Sequence, residues 1–86
     1  MVRLPAAPAE ADITLGRAAS NTVVLDDEFV SSHHARVYRD TRSGQWAIED
    51  LNSTNGTVVN QQRISRPTIL PARIPVRIGA TTFELR

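Results

Sequence analysis

Cysteine is absent from this 86-residue chain, so it holds no disulfide staple and no thiol for zinc or for catalysis. Lysine is absent too. All ten basic residues are arginine, set against nine acidic ones, for a net charge of +1 at pH 7. Charge this balanced argues against a general nucleic-acid or membrane-surface binder. Arginine alone can still build one small, strong anion site, because its fork matches phosphate oxygens. The apolar runs are only a few residues long, far short of a membrane span, so no direct membrane insertion is expected. Met1, Val2, Arg3 and Leu4 lead straight into Pro5 and Pro8, unlike a signal peptide. No stretch carries a helical period. The nearest, Pro5 to Ala11, is alanine-rich but holds two prolines and reads as a loop. The length suffices for one domain with a thin reserve of stability. The lack of thiols suits a reducing cytoplasm, so a cytoplasmic module is expected, alone or within a longer, membrane-anchored protein.

What the chain does contain is a series of short apolar runs broken by turn residues, the spacing of an all-β sandwich or barrel. Residues 13–15 lead into Gly16, and residues 22–25 stop at Asp26 and Asp27. Residues 35–39 alternate apolar and polar. With residues 46–49 they read as a hairpin across Ser43 and Gly44. Val58 and Val59 follow the turn pair Asn55 and Gly56, and a turn at Asn60 and Gln61 leads to residues 62–64. Residues 69–70, 76–78 and 82–85 complete the set, the last two as a hairpin around Gly79 and Ala80.

Three clusters that could carry chemistry fall between these runs: Gly16-Arg17, Ser31-Ser32-His33-His34, and residues 52–57, which include Ser53, Thr54, Asn55 and Gly56. Together they offer an arginine, hydroxyls, amides and turns rich in backbone N–H groups, with no carboxylate. Such a set suits an anion. A phosphate ester carries about −1.5 to −2 charges and three strong acceptor oxygens, and arginine gives it charge-assisted, often bidentate bonds. Each cluster alone also has a plain structural reading. Gly16-Arg17 can be a strand end with a solvated arginine, Asn55-Gly56 a common turn, and His34 a packed core histidine.

Their order carries more weight than any one of them. Gly16-Arg17 is followed by Asn21 and residues 22–26. Ser31 to His34 then open residues 35–37. Residues 46–60, from Trp46 through Asp50 and Thr54-Asn55-Gly56-Thr57 to Asn60, precede Pro75 to Gly79. This succession resembles the forkhead-associated (FHA) domain family, over residues 13–86. The final segments are also similar to FHA proteins of actinobacteria. The resemblance implies an all-β, two-sheet sandwich that binds a phosphothreonine-containing protein or peptide and catalyses nothing, with no cofactor and no metal. It makes Arg17, Ser31, Ser32 and Thr54 phosphate ligands and Asn55 a holder of the peptide backbone. Gly16 and Gly56 become tight-turn glycines, and His34 an internal brace of the loops. His33, Phe29 and Asn60 are implied as specificity positions. Phe29 and Asn60 would read the third residue after the phosphothreonine, which is expected to be aliphatic if Phe29 lines its pocket.

One departure stands out. The family begins with two strands before its Gly-Arg motif, and only fifteen residues precede Gly16. Residues 1–12 are therefore expected to form a partial strand, the family's second, and a loop. The result would be a sandwich of about ten strands lacking the first, with an unpaired sheet edge that invites self-association. Three other functions were weighed. A phosphate-independent structural or dimerisation sandwich would not need Arg17, Ser31 and Asn55 together. A serine hydrolase would pair Ser31 or Ser32 with His33 or His34 and one of Asp26, Asp27 or Asp50, but no Gly-x-Ser-x-Gly elbow is present. Zinc would need both histidines, yet adjacent strand residues point to opposite faces.

Overall fold

A computed structural model describes residues 12–85 in full and residues 2–3 as backbone. The stretch 4–11, where a loop is expected, lies outside the described residues. Among the described residues there are ten short strands: β1 (Val2–Arg3), β2 (Ile13–Gly16), β3 (Val23–Val24), β4 (Ala35–Arg39), β5 (Trp46–Asp50), β6 (Thr57–Val59), β7 (Gln62–Arg63), β8 (Thr68–Ile69), β9 (Val76–Ile78) and β10 (Thr81–Glu84). They form two five-stranded sheets, in the order β1-β10-β9-β6-β7 and β3-β2-β4-β5-β8. The pairs β1–β10 and β2–β3 are parallel, and all other pairs are antiparallel.

Alternation of side chains decides which face each strand buries. In β4, Ala35 and Val37 are wholly buried while Arg36 and Tyr38, which alternate with them, lie on the other face. In β9, Val76 and Ile78 are buried and Arg77 is exposed. Ile13, Leu15, Val37, Ile48, Val59, Val76, Ile78 and Phe83 meet between the sheets with Leu25, Val30 and Leu70. Each fully buried aliphatic side chain contributes about 1.5–3 kcal/mol of transfer free energy, which is what holds so small a domain together.

Both expected hairpins form, β4–β5 and β9–β10. The β6–β7 hairpin turns on Asn60 and Gln61, both at positive φ, 49° and 69°. That is the backbone twist a two-residue hairpin needs. Element boundaries differ from the sequence reading by a residue or two. Leu70, for example, lies just past β8 and donates its N–H to the Trp46 carbonyl at 2.8 Å. The four edge strands β1, β7, β3 and β8 are each only two residues long. So short an edge offers little template for pairing with a second chain. Among the described residues no helix is long and apolar enough to cross a membrane.

Candidate functional site

The strand directions bring four connections to one end of the sandwich: β2–β3 (17–22), β3–β4 (25–34), β5–β6 (51–56) and the β9–β10 turn (79–80). Leu25 and Val30 anchor the second of these in the core, and the four segments are otherwise mostly polar. They are held by hydrogen bonds to one another.

The first two are pinned by backbone. The Arg17 and Ala18 N–H groups donate to the Ser31 and Ser32 carbonyls at 3.0 and 3.1 Å. The buried Asn21 amide donates to the Ala18 and Ser32 carbonyls at 2.8 and 2.7 Å. Gly16 is required by this close approach. A Cβ there would lie 2.3 Å from the Ser32 carbonyl oxygen and 2.8 Å from Asn21 Nδ2.

His34 joins the second connection to the third. Its ring is fully buried. The Ser31 N–H donates to Nδ1 at 3.1 Å, and Nε2 lies 2.7 Å from the Gly56 carbonyl oxygen. A backbone N–H can only donate and a carbonyl can only accept, so the ring is neutral with its proton on Nε2. Thr54 N–H donates to Ser31 Oγ at 3.1 Å, and Asn55 Nδ2 donates to the Phe29 carbonyl at 2.8 Å. Ser31 Oγ is thus fixed as an acceptor, which leaves its own proton to donate outward. Gly56 sits at φ +83°, a left-handed conformation suited to glycine.

Two carboxylates work as internal ties. Asp27 accepts from the Phe29 N–H at 2.9 Å, the Ala80 N–H at 2.8 Å and the Thr81 hydroxyl at 2.9 Å, joining the second connection to the β9–β10 turn. The Phe29 N–H foremost, with Ala80 and Thr81 assisting against a desolvation penalty, holds its pKa below the usual 3.8. Asp50 accepts from the Ser53 N–H at 3.0 Å, the Ser53 hydroxyl at 2.5 Å and the Thr57 hydroxyl at 2.7 Å. Burial pushes Asp50 upward, but those three donors together outweigh it and the net shift is below 3.8. A carboxylate whose pKa is depressed by folding stabilises the fold fully above its unfolded pKa, and that contribution is lost as the pH falls through the folded value. Urea-unfolding free energy should therefore decline on acidification below about pH 4. Asp50→Asn should lower the neutral-pH plateau and flatten part of the slope, leaving the share due to Asp27. An unchanged slope in Asp50→Asn would contradict the assignment.

The site thus assembles Gly16, Arg17, Ser31, Ser32, His34, Thr54, Asn55 and Gly56 at one end of the molecule. Phe29 stands beside them, 54% exposed, in a groove of about 230 Å³ with Asn55, Gly56, Val58, Arg77, Gly79 and Ala80. Arg17 is exposed, and its guanidinium has no partner among the described residues. By contrast Arg36 is used structurally, at 2.7 Å from both Asp12 and Glu49. His33 is exposed, with Nδ1 3.3 Å from Asn21 Oδ1. Asn60 departs from the expectation. It lies past the far end of β6 from Gly56 and lines a separate groove with Val59, Gln62 and Pro71, so it does not share a pocket with Phe29. The reason is that β6 spans the sheet between the two positions. Asn21, Asp27, Asp50 and Ser53 carry the site's framework without having been assigned to it. The spacing of Asp50 to Ser53 was a visible turn signature; the partners of Asn21 and Asp27 are remote in sequence and left no local sign.

The hydrolase alternative fails on this geometry. His34 Nδ1 accepts from a backbone N–H and Nε2 donates to a carbonyl, so the ring offers no base to a serine hydroxyl. His33 and His34 diverge, one exposed and one buried. Among the described residues no three metal-binding side chains cluster.

The chain is a two-sheet sandwich that presents hydroxyls, amides and an arginine with no partner among the described residues on loops at one end. The chain belongs to the FHA domain family, whose pattern matches residues 13–79. Domains of this family typically bind phosphothreonine peptides and are non-catalytic. The chain is 42% identical over 77 residues to the FHA domain-containing protein FhaB of Mycobacterium tuberculosis, and 42% identical over 74 residues to FhaB of Mycolicibacterium smegmatis. Those alignments cover 90% and 86% of this chain but 48% and 46% of the relatives, so the chain spans about half the length of the curated relatives it matches. Among solved structures, Mycobacterium tuberculosis EmbR in complex with a low-affinity phosphopeptide superposes with a TM-score of 0.79 at 36% identity, covering 86% of this chain and 19% of that one. The FHA domain of a Chlamydia trachomatis protein superposes at 0.83 with 28% identity, covering 91% and 78%.

Proposed function

We propose that this chain is a phosphothreonine-peptide binding module that mediates a kinase-dependent protein–protein interaction on the cytoplasmic side of the membrane. The observation that carries the reading is the Ser31 hydroxyl, oriented by the Thr54 N–H so that its proton is free, on the connection that accepts from the backbone N–H of Arg17, whose guanidinium has no partner among the described residues. In this reading Arg17 supplies the charge, Ser31, Ser32 and Thr54 complete the phosphate shell, and the carbonyl end of the Asn55 amide accepts from the ligand backbone. The other end of that amide is already committed to Phe29. The apolar walls of the groove at Phe29 and Val58 favour an aliphatic residue downstream of the phosphothreonine. EmbR, the relative at 36% identity, was solved with a phosphopeptide bound.

Calorimetric titration with a phosphothreonine peptide, its phosphoserine analogue and its unphosphorylated twin tests the proposal. The expected order is phosphothreonine above phosphoserine, with no measurable heat from the twin. A buried methyl is worth about 0.8 kcal/mol, so the first two should differ by at least about fourfold. Equal affinity for phosphorylated and unphosphorylated peptides would point instead to a structural sandwich.

A further inference from the structure

Beside the loops, on the outer face of the sheet that contains β6, lies a second cationic feature that the phosphate reading leaves unused. Arg63, Val58, Arg77 and Thr82 stand in register across β7, β6, β9 and β10. The neighbours of Val58 and Arg77 along their strands, Thr57, Val59, Val76 and Ile78, are buried, so this row faces outward. Neither arginine has a hydrogen bond or ion pair among the described residues. With one strand between them, their backbones are about 10 Å apart.

Arg63 does not extend into solvent away from the loops. Its guanidinium lies over Gly56: a Cβ at that glycine would be 2.5 Å from Nε and 2.8 Å from Cζ. Gly56 therefore serves two purposes, the left-handed turn and room for this cation next to Asn55. Arg77 borders the Phe29 groove on one side. On the other side it borders a larger groove of about 480 Å³, with Val58, Gln61, Arg63, Pro75 and Thr82. The two grooves share Val58 and Arg77, so one track leads from Asn55 across the sheet face. From Gly56 to Asn60 the chain runs four residue steps along β6, about 13 Å, the length of about four extended residues of a ligand.

We infer that Arg63 and Arg77 form a second subsite that receives an acidic segment flanking the phosphothreonine, with an apolar side chain resting on Val58 between them. The inference rests on the peptide-binding reading above. Charge complementarity decides the occupant, since a strip with two unpaired guanidiniums and a valine disfavours a basic or purely apolar partner.

Fluorescence anisotropy would compare three phosphothreonine peptides of equal length: four glutamates after the phosphothreonine, four before it, or glutamines at both places. One acidic peptide is expected to bind about three- to tenfold more tightly than the glutamine peptide at low salt. That ratio should fall to about one in the R63Q/R77Q double variant and at about 0.5 M salt. A ratio of one for both acidic peptides in the native protein, or one that survives in the double variant, would overturn the inference. A separate arm does not depend on phosphate. Amide chemical shifts of the isotope-labelled chain would be followed on adding the unphosphorylated acidic peptide at millimolar concentration. Movement centred on Val58, Arg63, Arg77 and Thr82 supports the subsite, and movement elsewhere or none refutes it. If no phosphopeptide binds at all, the peptide-binding reading fails, and the shift map alone decides whether the strip takes acidic chains.

Discussion

Arg17→Ala is expected to weaken phosphothreonine-peptide binding roughly a hundredfold to a thousandfold while leaving the unfolding curve where it was. A hydrogen bond to a charged group contributes about 1.5–3 kcal/mol, and a guanidinium fork can make two to one phosphate. Two such bonds at the lower end come to about 3 kcal/mol, a factor of about 150. The fold should not notice. The side chain is exposed and unpartnered among the described residues, and the bond that Arg17 makes to Ser31 is from its backbone N–H. Exposed substitutions of this sort stay within about 0.5 kcal/mol. Arg17→Lys should recover only part of the loss, because an ammonium keeps the charge but not the planar fork. Calorimetry and urea unfolding on the same samples separate the two effects. A variant that lost binding and stability together would show that Arg17 acts through the loops rather than on the ligand.

His34→Phe is expected to do the reverse: it should damage the fold first and binding as a consequence. Phenylalanine fills a similar volume but leaves the Ser31 N–H and the Gly56 carbonyl without partners in a buried place. Each orphaned group costs about 1–3 kcal/mol, so about 2–6 kcal/mol in all. A domain of this size has only about 4–13 kcal/mol to lose. Urea denaturation should show a large fall in midpoint, and the variant should bind the phosphopeptide poorly even where it remains folded, because Ser31 and Gly56 lose their common anchor. A loss below about 1 kcal/mol would mean that the histidine is filler rather than a brace. The contrast between these two residues is informative. The Arg17 guanidinium has no partner among the described residues and is free for the ligand proposed above; His34 has both ring nitrogens committed to backbone.

The same division runs through the arginines. Arg36 and Arg39 are absorbed by the structure, the first between Asp12 and Glu49 and over the Tyr38 ring, the second on the Gly44 carbonyl and near Trp46. Arg17, Arg42, Arg63, Arg66, Arg73 and Arg77 have no side-chain hydrogen bond or ion pair among the described residues. Composition alone showed only that every cation is an arginine. Which ones were available to a ligand depended on where carboxylates and carbonyls came to rest.

Strands and turns were legible in the sequence because their causes are local. Alternation in residues 35–39 and 76–78 needs nothing but the pleat to bury one face, and the Asn60-Gln61 and Gly79-Ala80 turns are set by which residues tolerate a left-handed or tight backbone. The order of Gly16-Arg17, Ser31 to His34 and Thr54-Asn55-Gly56 likewise pointed to the family, since a family pattern is written along the chain. Tertiary structure alone decided the rest. Asn21 on Ser32, Asp27 on Ala80 and His34 on Gly56 join residues 11, 53 and 22 positions apart, and nothing in either neighbourhood announces the other. Asn60 was misplaced for the same reason. In sequence it lies close to Gly56, but one strand carries it to the opposite end of the sheet. Arg63, seven residues further along than Gly56, is returned to that glycine by the hairpin between them. Local propensity sets where the chain bends; only the closed sandwich determines which side chains then meet.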